Sequence, residues 1–399
     1  MANKLSAREH TVRILDKFDC DSNRLSTIFE NYFASNETSF KSRPEITHLV
    51  QDITRHRGYI DHIIISLFRG NYKTADNTLR NILRLGTYEI LYRDQVPDFA
   101  AVNEAVELAK RRRGKGAAGL ANALLRKIRK ADSSVEKALS PETPIHQMAA
   151  LLSHPGWMIS RWIDSLGWER TIQFCEWNNT VPILTVRMNS LQTEKEAFEK
   201  FLEESMVQWE PNQIIPEFYT VHRVSKIRSS SQFNEGHFSF QDVSSGLVTN
   251  LLKPTEGDSV LDVCAAPGGK CGYMAELMRN SGSVYAFDVD ADRHALLKES
   301  MKRLKLNSVN VEQKDATVDS FQVFDKILID APCTGTGVMA KRADIKWRRR
   351  SSDLDEMVAV QKRIISHIAQ FLESEGELVY ATCSVEPEEN WGVVDSFLA

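Results

Sequence analysis

The sequence lacks the features that mark membrane-spanning and secreted proteins. No apolar run approaches the roughly 20 residues that are needed to cross a bilayer. The N-terminus, Met-Ala-Asn-Lys-Leu-Ser-Ala-Arg-Glu-His, is polar and contains no apolar core of signal-peptide length. Six cysteines in 399 residues do not form a disulfide framework, and no CxxC pair or His/Cys spacing indicates zinc. We therefore expect a soluble, reduced, cytoplasmic protein with no membrane or metal partner.

The net charge of −4 conceals an uneven distribution of charge along the chain. Residues 1–130 carry 23 Lys and Arg against 15 Asp and Glu, so the remaining residues carry the acidic excess. The basic residues concentrate in 101–130, which includes Arg111-Arg112-Arg113. A basic module indicates a polyanionic partner such as RNA. A solvated helix face explains the charge run equally well.

The length predicts two or three domains, and the first of them, residues 1–131, is predicted to be helical. Apolar residues recur at helical spacing in Thr78–Tyr92. Pro97 ends that element, and a further helix follows, interrupted at Gly114 and Gly116. No strand-type alternation occurs before about residue 130. We therefore predict an all-α bundle.

Residues 140–235 are predicted to form a small α+β connector. Leu184–Ser190 has the pattern of a strand, and Glu194–Glu204 has that of an amphipathic helix. Phe238–Gln241 indicates a further short strand at the far side of this region. The Trp and Phe residues here are interpreted as core residues rather than as platforms for base stacking.

From residue 236 to 399 the pattern alternates between strands and helices. The predicted strands are Ser259–Val263, Ser283–Phe287, Val309–Glu312, Lys326–Ile329 and Glu377–Ala381. This alternation predicts a doubly wound parallel sheet, a Rossmann-like α/β domain. Ligands of such sheets bind beyond the carboxyl ends of the strands, where every candidate site residue lies.

A glycine-rich turn after the first of these strands predicts a cofactor site. Gly268 and Gly269 allow backbone amides to approach a ligand at the start of the following helix. Asp288 ends the second strand, where an acidic side chain can accept bonds from both ribose hydroxyls. The turn matches neither GxGxxG nor GxxxxGK[ST], which disfavours a nicotinamide cofactor and a P-loop. The remaining common ligand is S-adenosylmethionine, with the cofactor-binding residues Cys264, Ala265, Ala266, Pro267, Gly268, Gly269, Lys270, Asp288, Asp315 and Asp330.

Two cysteines directly after predicted strands suggest covalent catalysis. Cys333 lies in Asp-Ala-Pro-Cys-Thr-Gly, and Cys383 lies in Ala-Thr-Cys-Ser. A thiolate that adds to C6 of a cytosine makes C5 a nucleophile able to attack a sulfonium methyl group. Asp330 is the candidate hydrogen-bonding acid at N3. The alternative is that both cysteines are small buried packing residues, which is how we interpret Cys20, Cys175, Cys264 and Cys271.

Two resemblances support these predictions. The motifs Leu79–Gly86, Ala101–Val106 and Ala121–Arg126 resemble the NusB-type RNA-binding helical domain. Residues 236–399 resemble the Nol1/Nop2/Sun family of RNA cytosine-5 methyltransferases. This second resemblance implies a class I methyltransferase fold with S-adenosylmethionine as cofactor. The two domains together resemble the members of that family that act on 16S rRNA.

The second resemblance also implies the catalytic roles. Cys383 is the nucleophile, Cys333 assists product release, Asp330 contacts the cytosine, and Lys270 closes the glycine turn. The alternatives are a tRNA or another rRNA as substrate, or a non-catalytic NusB-like RNA-binding factor. We expect a monomeric enzyme that takes part in rRNA processing.

Two further expectations concern the end of the chain. The basic residues within Lys341–Arg350 suit contacts with RNA phosphates or, equally, a solvated helix start. The family resemblance implies a final pair of strands beyond Ala399, so we expect either that the sheet lacks its last strands or that the sequence is a fragment.

Overall fold

A computed structural model describes residues 5–39, 41–222 and 224–399. The chain forms two compact units. The first comprises the residues up to Val181 together with Val338–Ser351, and the second comprises Pro182–Gly337 and Ser352–Ala399. The three domain boundaries expected from the sequence stay predictions.

Helices dominate the first unit, and both kinds of element alternate in the second. In chain order the helices are α1 (Ala7–Cys20), α2 (Leu25–Ser35), α3 (Arg43–Arg55), α4 (Arg57–Leu67), α5 (Asn77–Tyr92), α6 (Asp98–Leu125), α7 (Ile128–Ser133), α8 (Ile145–Leu151), α9 (Gly156–Leu166), α10 (Trp168–Asn178), α11 (Lys195–Glu204), α12 (Ser225–Arg228), α13 (Ser231–Asn234), α14 (Val243–Leu252), α15 (Gly269–Leu277), α16 (Ala291–Leu304), α17 (Ile345–Arg348), α18 (Ser352–Ile368) and α19 (Trp391–Leu398). The strands are β1 (Leu184–Met188), β2 (Trp209–Pro211), β3 (Phe218–Val221), β4 (Phe238–Phe240), β5 (Ser259–Val263), β6 (Ser283–Asp288), β7 (Val309–Gln313), β8 (Phe324–Asp330) and β9 (Leu372–Ala381). Short 3-10 turns lie at Tyr72–Thr74, Thr336–Val338, Ala369–Phe371 and Pro387–Glu389.

The first unit is the predicted all-α bundle. Helix α5 is its central element, since nearly all of its apolar side chains are buried. Asp76 begins this helix by accepting a hydrogen bond from the Leu79 amide at 3.0 Å. Gly86 lies on its inner face, where an added Cβ would come within 2.8 Å of Leu125. Helix α6 runs through the predicted interruption but is kinked at Gly114, whose φ of 85° is not helical.

The second unit contains a small antiparallel sheet with the strand order β2-β3-β1-β4. Helix α11 packs on it with Phe198 and Leu202, which are buried against Val186 and Phe238. The predicted strand at residue 184 and the predicted helix at residue 194 are both present. The strands β2 and β3 were not predicted, because each is too short to show a clear alternation.

A five-stranded parallel sheet forms the rest of the second unit, with the order β7-β6-β5-β8-β9. All five predicted strands are present. One face packs on α15 and α16 through residues such as Met274 and Leu297, and the other packs on α18 through Ile364 and Ile368. The chain proceeds outward from β5 to β7 and returns to β8 on the other side of β5. Such a reversal is the place where doubly wound sheets bind ligands.

The segment Val338–Ser351 folds with the first unit, although it follows the Cys333 loop directly in sequence. The Trp347 indole donates to the Thr54 carbonyl at 2.7 Å, and Arg348 donates to the Phe18 carbonyl at 2.7 Å. Lys346 is fully buried and donates to Asn179 and to the Arg55 carbonyl. Its burial contradicts the expectation that Lys346 is available to RNA phosphates. Its ammonium nitrogen is hydrogen-bonded to neutral acceptors inside the fold, and burial lowers the pKa of Lys346 to about 7.

Four cysteines were interpreted as packing residues, and they differ in how far the structure buries them. Cys175 and Cys271 are buried, and Cys264 is half-buried. Cys20 is exposed at the end of α1, so the packing interpretation is wrong for this residue. In the part of the chain that the structure describes, no helix has the length and apolar character needed to cross a membrane.

Candidate active site

The predicted site residues gather at one edge of the parallel sheet. Asp288 and Asp330 are the last residues of β6 and β8, and the glycine turn follows β5 directly. Asp315 lies two residues after β7, and Cys383 lies two residues after β9. Because the five strands are parallel, their carboxyl ends meet at this edge. The sequence prediction of where these residues lie is therefore consistent with the topology.

The glycine turn has a backbone that few side chains permit. Cys264 has a φ of 71° and Gly268 a φ of 102°. An added Cβ at Gly268 would lie 2.7 Å from Leu297 and 2.8 Å from Met301. Glycine at this position therefore allows the turn to pack directly on α16. Helix α15 begins at Gly269, so its first amides are directed at the strand edge.

Asp288 is nearly buried and already has several partners. Its Oδ2 accepts from the Ala266 amide at 3.2 Å and pairs with Arg293 at 3.2 Å, and its Oδ1 accepts from the Asp290 amide at 3.1 Å. A carboxylate offers about four acceptor positions. A ribose at this edge therefore either uses the remaining one or displaces Arg293. In either case Asp288 also fixes the glycine turn through Ala266.

Asp315 is held by a local turn. Its Oδ1 accepts from the Thr317 amide at 2.8 Å and from the Thr317 hydroxyl at 2.6 Å. These hydrogen bonds lower the pKa of Asp315. Asp315 is therefore an ionised acceptor at neutral pH, two residues after the end of β7.

Lys270 and Asp330 form an ion pair across the end of the sheet. The Lys270 Nζ lies 2.6 Å from Asp330 Oδ2. The lysine is mostly buried, while about a third of the aspartate remains exposed. The lysine that closes the glycine turn thus orients the aspartate that precedes the Cys333 loop. The two side chains therefore act as a pair, and Asp330 is the member that a ligand can reach.

Asp262, on β5, is a buried acid that sequence analysis did not single out. It is fully buried, and neither of its carboxylate oxygens has a hydrogen-bond partner. Burial raises the pKa of Asp262 to about 8, and the negative charges of Asp330 and Asp288 add to that rise while Lys270 opposes it. At neutral pH this carboxyl is therefore mainly protonated.

The two candidate catalytic thiols are adjacent. The Cys333 Sγ and the Cys383 Sγ lie 3.2 Å apart, and neither cysteine is in a disulfide. Cys383 is exposed and Cys333 is half-buried. The hydrogen bond with Cys383 raises the pKa of Cys333, and burial adds to the effect. Cys333 therefore holds its proton tightly and is positioned to donate a hydrogen bond to the Cys383 sulfur.

A chain of hydroxyl groups joins the two cysteine loops. The Thr334 and Ser384 hydroxyl oxygens lie 3.2 Å apart, and the Thr336 and Ser384 hydroxyl oxygens lie 3.1 Å apart. The Gly337 amide donates to the Cys383 carbonyl at 2.9 Å. An added Cβ at Gly337 would lie 2.9 Å from that carbonyl oxygen, so the close approach favours glycine. The spacing of the thiols is therefore fixed by their immediate neighbours.

A buried ion pair supports the glycine turn from below. Arg187 on β1 donates to both carboxylate oxygens of Glu276 at 2.6 and 2.9 Å, and to the Gly269 carbonyl at 2.9 Å. Arg187 and Glu276 are almost fully buried. An arginine inside an otherwise apolar strand was the sequence signal for this contact, but its partner lies 89 residues away. The antiparallel sheet thus contributes to the cofactor turn.

The donor set suits S-adenosylmethionine. The backbone amides of the turn and of the first residues of α15 are positioned to meet a ligand's polar groups, and Asp288 and Asp315 are acceptors at the next two strand ends. Val289, directly after Asp288, is an exposed apolar side chain that a flat ring can cover. Among the described residues, no group of three or more His, Cys, Asp and Glu has the arrangement of a metal site.

Comparisons with known proteins agree with this geometry. The model for "16S rRNA methyltransferase RsmB/F" matches residues 249–399, and the NusB family model matches residues 5–130. The model for the "Methyltr_RsmF/B-like, ferredoxin-like domain" matches residues 154–227.

Relatives extend the similarity over the whole chain. The probable ribosomal RNA small subunit methyltransferase B of Bacillus subtilis (strain 168) is 32% identical over 99% of this chain and 88% of its own. The crystal structure of PH0851 matches with a TM-score of 0.79 and 28% identity, over 99% of this chain and 90% of that one. A methyltransferase homologue from Pyrococcus horikoshii matches with a TM-score of 0.58 and 32% identity, over 65% of this chain and 83% of that one.

Proposed function

The chain belongs to the ribosomal RNA small subunit methyltransferase B family, and we propose that it methylates C5 of a cytosine in 16S rRNA through a covalent cysteine adduct. The observation that carries this proposal is the pair of thiols 3.2 Å apart, of which Cys333 lies in the loop that follows Asp330 of the Lys270–Asp330 ion pair. A methyltransferase acting on an exocyclic nitrogen or a ribose oxygen has no need of two adjacent thiols.

Cys383 is the group suited to attack the ring. It is the more exposed thiol, and the neighbouring Cys333, whose pKa is raised, can donate a hydrogen bond to its thiolate. As the Cys383 sulfur bonds to C6, electron density moves toward N3, where a proton or a hydrogen bond must compensate it. The Lys270–Asp330 ion pair supplies this compensation: the Lys270 ammonium provides the proton, and Asp330, the accessible member of the pair, passes it to N3. S-adenosylmethionine, when bound, supplies the methyl group that C5 takes up.

Cys333 is suited to the last step, in which the enzyme must be released from the base. Once Cys383 is bonded to C6, Cys333 no longer faces a thiolate, and it can release its proton to solvent. It then accepts the C5 proton. The electrons of that C–H bond restore the C5–C6 double bond, and those of the C6–S bond return to Cys383. The N3 proton returns through Asp330 to Lys270, and the cycle releases one proton in total.

The choice of cofactor is also part of this proposal. The glycine turn at Gly268 and Gly269 and the acids Asp288 and Asp315 supply donors and acceptors in the order of S-adenosylmethionine's methionine, ribose and adenine. The cytoplasmic location and the monomeric state stay predictions from the sequence.

The decisive experiment compares Cys383→Ala with Cys333→Ala, using the full chain, S-adenosylmethionine and 16S rRNA. Cys383→Ala should form no covalent complex. Cys333→Ala should transfer the methyl group and then stall as a protein–RNA adduct that survives denaturing electrophoresis. The exposed Cys20→Ala serves as the control and should turn over like the wild type. Adducts that appear only in Cys383→Ala would reverse the two roles, and full activity in both variants would rule out covalent catalysis.

The RNA target needs a separate measurement. Bisulfite sequencing of rRNA and tRNA from a deletion strain should show the loss of one methylated cytosine in 16S rRNA. A loss in tRNA or in another rRNA would contradict the proposed substrate and leave the chemistry intact. An unchanged methylation pattern in the deletion strain, together with RNA binding by the purified protein in vitro, would favour the remaining candidate. That candidate is a non-catalytic RNA-binding factor of the NusB kind.

The basic face of α6 and α7 offers a test of RNA binding by the first unit. Lys115, Lys127 and Lys130 are exposed, and in the described part of the chain they form no ion pair, whereas Arg113 and Arg129 are paired with acids. Each lysine that contacts a phosphate should reduce the log–log salt slope of RNA binding by about 0.7–0.9 when replaced by alanine. An unchanged slope in the triple variant would mean that this face is only solvated.

A further inference from the structure

A buried carboxylate that the reaction above does not use lies behind Cys333. Glu389 ends the 3-10 turn Pro387–Glu389 and is fully buried. Its Oε1 accepts from the Thr334 amide at 2.8 Å and from the Gln361 side chain at 3.0 Å, and its Oε2 accepts from the Thr334 hydroxyl. All of these donors are neutral. Among the described residues, no lysine or arginine forms an ion pair with Glu389.

The donors of Glu389 lead directly to the catalytic thiols. Thr334 is the residue after Cys333, and its hydroxyl also contacts Ser384, the residue after Cys383. The Gln361 amide that binds Glu389 also donates to the Pro332 carbonyl at 2.9 Å, on the other side of Cys333. Glu389 thus holds Thr334 directly and orients the Gln361 amide that binds Pro332. Through the Thr334–Ser384 contact it also fixes the distance between the two loops.

A carboxylate at this position destabilises the fold more than a neutral side chain in the same structural role would. Burying a carboxylate without a cation costs several kcal/mol, and hydrogen bonds from neutral donors offset only part of this. A neutral amide could accept the same bond from the Thr334 backbone. The feature that only the carboxylate provides is a fixed negative charge close to Cys333. A negative charge opposes the loss of a proton from a neighbouring thiol.

We propose that Glu389 is a positioning residue for the proposed reaction, holding Cys333 beside Cys383 through Thr334 and setting how strongly Cys333 retains a proton. The inference rests on the proposed function, in which Cys333 accepts the C5 proton. A thiolate with a higher proton affinity is the better acceptor for a proton bound to carbon. Cys383 is more exposed than Cys333, so the same charge acts on it less and leaves it as the nucleophile.

Other ionisable groups face Cys333 and must be controlled in any test. Cys383 lies across the thiol contact, and Tyr380 on β9 donates to the Glu389 carbonyl at 2.8 Å. Asp330, with its partner Lys270, lies three residues before Cys333. The largest influence on Cys333 is Cys383, and therefore the effect of Glu389 is measured most cleanly with Cys383 replaced by serine.

The first measurement is the pH dependence of Cys333 alkylation by iodoacetamide in the Cys383→Ser protein. Adding Glu389→Gln should move the midpoint to lower pH by about one unit, the lower end of the range for a nearby charge. Glu388→Gln, an exposed neighbour, is the control and should leave the midpoint unchanged. A structural role alone would change the amount of folded protein without moving this midpoint.

The second measurement is the rate at which diamide joins Cys333 and Cys383 in the otherwise unaltered chain. Diamide takes the two thiol protons and two electrons as the disulfide forms, and peptide mapping identifies the pair. Glu389→Ala should slow this cross-link at least tenfold, and Glu388→Gln should not. Thr334→Val, which keeps the carboxylate and removes the hydroxyl bond, provides the same comparison if Glu389→Ala does not fold.

The third measurement connects the thiols to the RNA. Glu389→Gln should accumulate the protein–RNA adduct, as Cys333→Ala does, because release is slowed. An unchanged alkylation midpoint together with an unchanged cross-linking rate in the Glu389 variants would overturn the inference, even if Cys333→Ala forms adducts. The absence of adducts in every variant would instead contradict the covalent mechanism, and the thiol measurements would still decide whether Glu389 positions Cys333.

Discussion

The helical unit and the parallel-sheet unit each bury a cluster of charged residues, but they satisfy these charges differently. In the first unit Arg84 is nearly buried and donates to both oxygens of Asp61 at 2.8 Å and to Asp19 at 3.0 Å. In the second unit Asp262 is fully buried without any hydrogen-bond partner, beside Asp330 and Asp288. The first cluster balances its charges within the fold.

The difference indicates what each cluster is for. Charged side chains whose hydrogen-bonding positions are all used within the fold hold helices together, and few of those positions remain for a ligand. An acid that is buried without a partner destabilises the fold, and such groups persist where a ligand or a reaction needs them. Substitutions in the two clusters should therefore fail in different ways. The first cluster should determine stability and the second should determine activity.

The largest effect is expected for Asp330→Asn. Turnover should fall about 10²–10⁴-fold, the range for a lost proton-transfer group, while the melting temperature stays close to that of the wild type. Methyl transfer from tritiated S-adenosylmethionine to rRNA measures the loss. Asp325→Asn, on the same strand but away from the carboxyl end, is the control. Normal turnover of Asp330→Asn would remove Asp330 from the reaction.

Arg84→Met should show the opposite pattern. Removing the arginine leaves the half-buried acids Asp19 and Asp61 with Arg57 as their remaining cationic partner, and the free energy of unfolding should fall by about 3 kcal/mol, the lower end of the range for a broken buried pair. Urea unfolding measures this loss. Arg129→Met breaks an exposed pair with Asp98 and should cost less than about 1 kcal/mol. Equal costs for the two variants would mean that burial of the Arg84 cluster does not matter.

Asp288→Ala should weaken binding of S-adenosylmethionine by about 1.5–3 kcal/mol, the scale of hydrogen bonds to a charged group. Isothermal titration calorimetry measures the affinity. Arg293→Met frees an acceptor position on Asp288 and keeps the bond of Asp288 to the Ala266 amide, but it also removes the bond from Arg293 to the Ala266 carbonyl. Wild-type affinity in Asp288→Ala would place the ribose elsewhere.

At pH 5 the smallest change, a change in the free energy of unfolding, is expected for Asp262→Asn. The folded-state pKa of about 8 lies above the unfolded value of about 3.9, so between these pH values the folded state binds the extra proton. Stability from Asp262 is therefore fully present below pH 4 and is lost as the pH rises toward 8. Between pH 5 and pH 8 the free energy of unfolding should fall more in the wild type than in the variant. Parallel pH profiles would mean that Asp262 does not titrate in this range.

The sequence was sufficient for the parallel sheet because each of its strands is a local pattern. Ser259–Val263 is a short apolar run, and the parallel topology then places Asp288, Asp330 and both thiols at one edge. The pairing of Lys270 with Asp330 was not predicted, although both residues were assigned to the site. It depends on a contact between residues that are 60 positions apart.

Other parts of the site depend on long-range contacts for which the sequence carries no local signal. Gln361 lies on the buried face of α18 and meets Glu389 28 residues later. The motif Glu386-Pro-Glu-Glu-Asn390 directly after the Thr-Cys-Ser run was the available sign of Glu389, but an acid in a turn is usually solvated. Nothing in the composition of Val338–Ser351 distinguishes it from a surface loop, although it folds with the helical unit.

The embedding of Val338–Ser351 in the helical unit has a consequence for biosynthesis. The ribosome synthesises α1 to α10 long before Trp347 and Arg348 leave the exit tunnel. Until then the carbonyls of Thr54 and Phe18 lack these hydrogen-bond donors. The N-terminal unit therefore cannot reach its final state by folding sequentially ahead of the rest, as an autonomous module does. A messenger truncated before codon 338 would yield a bundle with a permanent gap on its surface. Emergence of Val338–Ser351 from the exit tunnel becomes the event that closes it.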